Sequence, residues 1–155
     1  MGVMSTITMQ SPGWDIVGHE HSIDILRRTL ANQQVRHAYL FTGPPRIGKT
    51  LCALRFAQTL LCTGGPDPRI GGQGEPKVAP LEPCNTCLSC RKVLHSNHPD
   101  VHVIKKAAGK QAISIEQIRE LQSASARRSL EGRSNIFIVQ NRFNFTAFLF
   151  ITCPQ

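Results

Sequence analysis

The sequence predicts an α/β fold: a parallel sheet with helices on both faces, carrying a small cysteine-rich insert. Three observations predict it. Short apolar runs at 38–41, 101–104 and 135–139 alternate with segments of helical periodicity, the pattern of strands joined by helical crossovers. A glycine-rich loop stands between the first of these runs and the helix that follows. Four cysteines gather between the second helical segment and the second apolar run, where the pattern is interrupted. The length of 155 residues suffices for one domain with a real core, and 41% apolar with 18% charged residues is ordinary for a globular chain.

Taken in order, Ile23, Leu26 and Leu30 recur at helical spacing and predict an amphipathic helix near 21–32. Ala38-Tyr39-Leu40-Phe41 stops at a Gly-Pro-Pro turn, which suits a buried strand. Residues 50–61 read as helix, with Leu51, Leu54 and Leu61 on or near one face. Gly and Pro then mark a loop over 63–83. Val101 to Ile104 alternates as a strand. Ser114 with Gln117 makes a capping-box signature, and Ile115, Ile118 and Leu121 predict a buried stripe on the helix that follows. Asn135 to Val139 is the third strand. The three strands are expected side by side, with the glycine-rich loop at a strand's C-terminal end.

Gly43-Pro44-Pro45-Arg46-Ile47-Gly48-Lys49-Thr50 fits G-x-x-x-x-G-K-[ST] at every fixed position. The chemistry requires this arrangement. Glycines let the backbone curl so that successive N–H groups face phosphate oxygens, and the helix that starts there points its positive dipole end at the same anion. Lys49 reaches the β and γ phosphates, and Thr50 offers a hydroxyl to Mg²⁺. A chance Gly-Lys-Thr turn is the competing reading, and it is weakened by the setting between strand and helix. ATP with Mg²⁺ is the expected ligand.

Cys84, Cys87 and Cys90 form C-x2-C-x2-C, with Cys62 upstream across the Gly/Pro loop. Thiolates spaced this way can turn back onto one tetrahedral ion, and a fourth sulfur closes the site, so the expected metal is a structural zinc. A [4Fe–4S] cluster is the alternative metal. His95 or His98 are alternative ligands in place of Cys62. Cys52 reads as a small core residue, and Cys153 has no partner at metal-site spacing.

Eighteen Lys+Arg against ten Asp+Glu give a formal charge of +8, and a pI near 9.6. That balance favours phosphate contact, of a nucleotide or of nucleic acid. The plainer reading is a solvated basic surface, since the basic residues are dispersed with no run longer than pairs such as Arg27-Arg28. The first ten residues lack a secretory pattern. The apolar stretch near 143–151 is well short of the roughly 20 residues that span a bilayer. The expected location is cytoplasmic, where clustered cysteines point to metal before disulfides.

Together, the phosphate loop and the four-cysteine insert resemble the AAA+ subunits of the bacterial clamp loader over about Trp14 to Val139. Ile16-Val17-Gly18-His19 resembles the segment that packs beside adenine, so the resemblance places Val17 and Gly18 at the nucleotide. With them go Gly43, Pro44, Arg46, Ile47, Gly48, Lys49, Thr50 and Leu51. Cys62, Cys84, Cys87 and Cys90 match the family's zinc ligands. Asn97-His98-Pro99-Asp100 and the following 103–106 resemble the delta-prime branch more than gamma/tau, the alternative branch. The resemblance implies the other clamp-loader subunits (gamma/tau and delta) as partners, with the sliding clamp and primed DNA reached through the assembled complex. It divides the chain into 1–61, the first part of the nucleotide-binding domain; 62–98, the zinc-binding insert; 99–140, the continuation; and 141–155, an aberrant or truncated tail.

One departure matters. Hydrolytic relatives carry an Asp-Glu pair after the third strand, whereas Gln140-Asn141-Arg142 follows here. No catalytic residue is therefore assigned, and ATP binding without efficient hydrolysis is expected. The tail resembles nothing in the family: Phe143, Phe145, Phe148 and Phe150 fall within 143–155, out of seven Phe in the chain. The family's sensor strand, lid and collar are expected beyond it. A reading of a different class is a zinc-containing nucleic-acid-binding module whose phosphate loop is vestigial. A third is a gene fragment that does not fold stably.

Overall fold

The computed structural model describes residues 13–64, 81–106, 109, 113–131, 134–141 and 146–152. Helix α1 spans Glu20–Ala31 and buries the expected Ile23, Leu26 and Leu30. Strand β1 (Ala38–Thr42) leads through the glycine-rich loop into helix α2 (Lys49–Leu61). The short helix α3 (Leu88–Leu94) follows the last cysteines. Strand β2 (Val101–Lys105), helix α4 (Ile115–Ser125), strand β3 (Asn135–Asn141) and strand β4 (Thr146–Thr152) complete the described elements.

The sheet order is β1-β4-β3-β2. β2 and β3 pair in parallel, Val101 opposite Ile136, as a crossover through α4 requires. The expectation of three strands side by side is corrected at β1. Strand β4 lies between β1 and β3 and runs antiparallel to both. Its sequence, TAFLFIT, is rich in β-branched and aromatic residues, which suits a central position with neighbours on each edge. Residues 146–152 thus belong to the sheet. Because β4 opposes both neighbours, β1 still runs in the same direction as β3 and β2. Thr42 and Asn141 both pair with Thr146, so the C-terminal ends of β1 and β3 lie on one edge of the sheet.

α2 is the hub of the core. Phe56 is fully buried, stacked on Trp14 with ring centroids 6.2 Å apart and edge-on to Tyr39 at 4.9 Å. Ala53 and Ala57, also fully buried, share the core cluster with Ile136, Ile138 and Ile151 of the sheet. Phe137, between Ile136 and Ile138, falls outside that cluster and stacks on His102, as strand alternation dictates.

Two sequence expectations about helix faces are corrected. Leu51 is exposed, and the buried face of α2 is centred on Cys52, Ala53, Phe56 and Ala57. The capping box of α4 forms, with Ser114 Oγ accepting from the Gln117 amide and Gln117 Oε1 accepting from the Ser114 amide. Its apolar stripe, however, buries nothing: Ile115 is 62% and Ile118 38% exposed. Periodicity reports that a helix has an apolar face, not that the covering surface lies among these residues.

Candidate functional sites at the two ends of one helix

The glycine-rich loop begins where β1 ends, and its last residue, Gly48, is the N-cap of α2. Backbone dihedrals set its curl. Gly43, Arg46 and Gly48 have φ of 141°, 64° and 89°, while Ile47 between the last two stays negative. Alternation of sign over 46–48 is the backbone geometry of an anion-binding concavity. Gly48 needs glycine for its left-handed φ, which a Cβ would strain. The Lys49 ammonium lies over the loop, donating to the carbonyls of Gly43 at 2.9 Å and Pro44 at 2.5 Å. His19 caps α1 with no side-chain bond to its own helix; instead its Nε2 meets the Ile47 carbonyl at 2.7 Å. A cavity of about 290 Å³ opens beside the loop, lined by His19, Ser22, Tyr39, Phe41, Gly48 and Lys49 among others. Thr50 and Leu51 occupy the first turn of α2, and Val17, 95% exposed, stands just before α1 with Gly18. Pro44 and Ile47 are loop residues between the two elements.

The opposite end of α2 carries the cysteines. Cys62 is its C-cap, and Cys87 is the N-cap of α3. The sulfurs of Cys62, Cys84, Cys87 and Cys90 all lie within 4.8 Å of one another, and Cys84 and Cys90 sulfurs are 3.9 Å apart. Four sulfurs on a tetrahedral zinc at about 2.3 Å would stand roughly 3.8 Å from each other, so the donor set fits that ion. Backbone amides already serve the sulfurs: Cys87 N–H donates to Cys84 Sγ at 3.3 Å, Cys90 N–H to Cys87 Sγ at 3.4 Å and Gly64 N–H to Cys62 Sγ at 3.4 Å. Hydrogen bonds from the Cys62 and Cys90 thiols hold Cys87 far below the usual thiol range. Hydrogen bonding to Cys87 pushes Cys62 up to about 11, and the bonds to Cys62 and Cys87 push Cys90 up.

The sulfur that lies with those of Cys84, Cys87 and Cys90 is that of Cys62. His98 serves elsewhere: its Nδ1 accepts from the Asp100 amide at 3.1 Å. Burial pushes its pKa down, which keeps the ring neutral. The Asp100 carboxylate, buried, accepts from the amides of Leu130 and Glu131 at 2.6 and 2.8 Å and so ties the turn before β3 to the start of β2. His98-Pro99-Asp100 is thus a structural staple. Cys52 is buried in the core, where desolvation lifts its thiol to about 11. Cys153 lies outside the described residues. The cysteine segment stays out of the sheet, but α3 packs on α2 through Val93 and does not stand away from it.

Sequence reading missed Arg55, Gln58 and Asn85. Arg55, only 4% exposed, donates from one nitrogen to Gln58 Oε1 at 2.9 Å and Asn85 Oδ1 at 3.1 Å. Gln58 donates to the Cys90 carbonyl at 2.9 Å. The available signal was faint: Arg55 is the one charged residue in α2 after Lys49.

The chain combines a mixed α/β fold with a phosphate-loop sequence at one end of α2 and four clustered cysteines at the other. A family model described as DNA polymerase III, delta subunit matches residues 18–147, and the chain belongs to that family. It is 28% identical over 123 residues to DNA polymerase III subunit delta' of Bacillus subtilis (strain 168), covering 79% of this chain and 32% of that protein. It is 33% identical over 106 residues to the tau subunit of the same organism, covering 68% and 16%. With the tau/gamma subunit of Haemophilus influenzae (strain ATCC 51907 / DSM 11121 / KW20 / Rd) it shares 29% identity over 140 residues, covering 87% and 18%. The chain therefore spans about a third or less of the length of these relatives. No helix among the described residues is long and apolar enough to cross a membrane.

Proposed function

We propose that this chain is the phosphate-loop portion of a delta-prime-type clamp-loader subunit that binds ATP with Mg²⁺ and holds one structural zinc. The carrying observation is the curled loop at 43–48 between β1 and α2, with the Lys49 ammonium poised over it, in a member of a DNA polymerase III subunit family. Loop amides and Lys49 would hold the phosphates, Thr50 would face the Mg²⁺, and Val17 and Gly18 would lie at the base. The zinc, on Cys62, Cys84, Cys87 and Cys90, would lock the 62–98 insert onto α2. Partners on this reading are the gamma/tau and delta subunits, with the clamp and primed DNA contacted through the assembly in the cytoplasm. A gamma/tau-type role is the second reading, favoured by the similar identity to tau subunits.

The edge of the sheet that carries the loop bears on turnover. Gln140 and Asn141 end β3 there, where the resemblance implies an Asp-Glu pair in hydrolytic members; phosphoryl transfer needs groups to secure Mg²⁺ and to orient water. The reading is therefore binding without efficient hydrolysis. Equilibrium titration of a fluorescent ATP analogue with Mg²⁺, alongside phosphate release, tests it. The expected result is saturable binding weakened at least about tenfold by Lys49→Ala, with phosphate release at background in both proteins. Turnover abolished by Lys49→Ala would show a hydrolytic site. DNA affinity that falls with salt but ignores Lys49→Ala, without ATP binding, would favour the nucleic-acid module instead.

A further inference from the structure

We propose that Arg55 and Gln58 are positioning residues of the cysteine site, fixing the Cys84–Cys90 turn to the helix that begins at the phosphate loop, so that metal affinity depends on two side chains that do not touch the metal. The inference rests on the reading of the four cysteines as a zinc site. Gln58 is 1% exposed and bridges two groups: its amide nitrogen donates to the Cys90 carbonyl, and its oxygen accepts from Arg55. The same Arg55 nitrogen reaches Asn85, which sits between Cys84 and Cys87 in a left-handed conformation with φ of 58°. Asn85 in turn donates to the Gly13 carbonyl at 3.3 Å, and Arg55 approaches the largely exposed Asp15 at 3.5 Å. Cys62 is carried by α2 itself, its amide bonded to the Thr59 carbonyl at 3.3 Å. One helix thus sets Cys62 by chain connectivity and the 84–90 turn by side-chain hydrogen bonds.

The cost of the arrangement argues that it has a use. A buried guanidinium is expensive unless its donors are satisfied and its charge is answered. Here the carboxylate it pairs with among the described residues, Asp15, stands at 3.5 Å and is mostly solvated. Four thiolates around one divalent ion leave excess negative charge, which a buried cation on the adjoining helix offsets. Orienting groups behind metal ligands typically contribute about 10–100-fold to affinity.

Competition for Zn²⁺ against a chromophoric chelator, on the full chain, tests the assignment. Gln58→Met keeps the volume and removes the donor; it should weaken Zn²⁺ binding by about 10–100-fold. The Co²⁺-substituted protein should keep its tetrathiolate absorption, because all four sulfurs remain. Arg55→Lys, which keeps the charge and loses the fork, should fall between the unmodified chain and Arg55→Met. It also carries the comparison if Gln58→Met does not fold. A purely structural role would lower the melting temperature equally with and without Zn²⁺ and leave affinity within about twofold of the unmodified chain, which overturns the inference. Failure of the unmodified chain to bind Zn²⁺ or Co²⁺ overturns the metal reading, and the inference with it.

Discussion

The two ends of α2 carry different kinds of site. At the N-terminus, the curled loop and Lys49 come from one contiguous stretch, with His19 of α1 bonded to it from outside. At the C-terminus, the sulfurs come from residue 62 and from 84–90, and they meet only because α3 packs on α2. A contiguous site is readable from spacing and can be altered with little effect on the core. An assembled site is part of the fold, and its loss is felt as instability. The contrast yields predictions that separate the two ends.

The largest effect is expected at the assembled end. Cys87→Ser removes the sulfur at the centre of the thiol network, and metal analysis of the purified protein should fall from about one zinc per chain to near zero. Cys52→Ser and Cys153→Ser should retain full occupancy; equal loss in all three would show the ligand set to be wrong. Next comes the core that joins the two ends. Phe56→Ala empties a fully buried site flanked by Trp14 and Tyr39, and urea denaturation should show a loss of about 3–5 kcal/mol. An unchanged midpoint would mean that α2 is not the hub. Away from both ends, Ser114→Ala deletes the cap of a helix that buries nothing, so the cost should be only about 1 kcal/mol.

The smallest effect is a pH dependence at His98. Its pKa is lowered in the folded chain, so the unfolded chain binds the proton more readily. Stability should be complete at pH 7.5 and fall as pH drops below the ordinary histidine value of about 6.5. Comparing denaturation midpoints of the unmodified chain and His98→Asn at pH 7.5 and 5.5 isolates this part. An identical pH slope in both would remove His98 as its source.

The sequence was legible where the information is local. The three strands, α1, the loop-to-helix junction and the Ser114–Gln117 capping box all follow from spacing within a few residues. That the Cys62 sulfur lies beside the other three needed the fold, because it depends on where α2 ends relative to α3. The place of β4 was also hidden: strand propensity says that TAFLFIT can pair, not between which neighbours or in which direction. Arg55 and Gln58 were invisible for a related reason. Their partners, Asn85 and the Cys90 carbonyl, lie far along the chain, and hydrogen bonds to turn residues leave no periodic trace.

Hydrogen–deuterium exchange across α2, measured with Zn²⁺ alone and with Mg·ATP alone, tests the central claim most directly. The account predicts two separate footprints. Zn²⁺ should slow exchange at the amides of 58–64 and 84–91, and Mg·ATP should slow it at 43–51, with the latter footprint lost in Lys49→Ala. Protection by Mg·ATP that is absent from 43–51, or that persists in Lys49→Ala, would contradict the assignment of one helix to two sites.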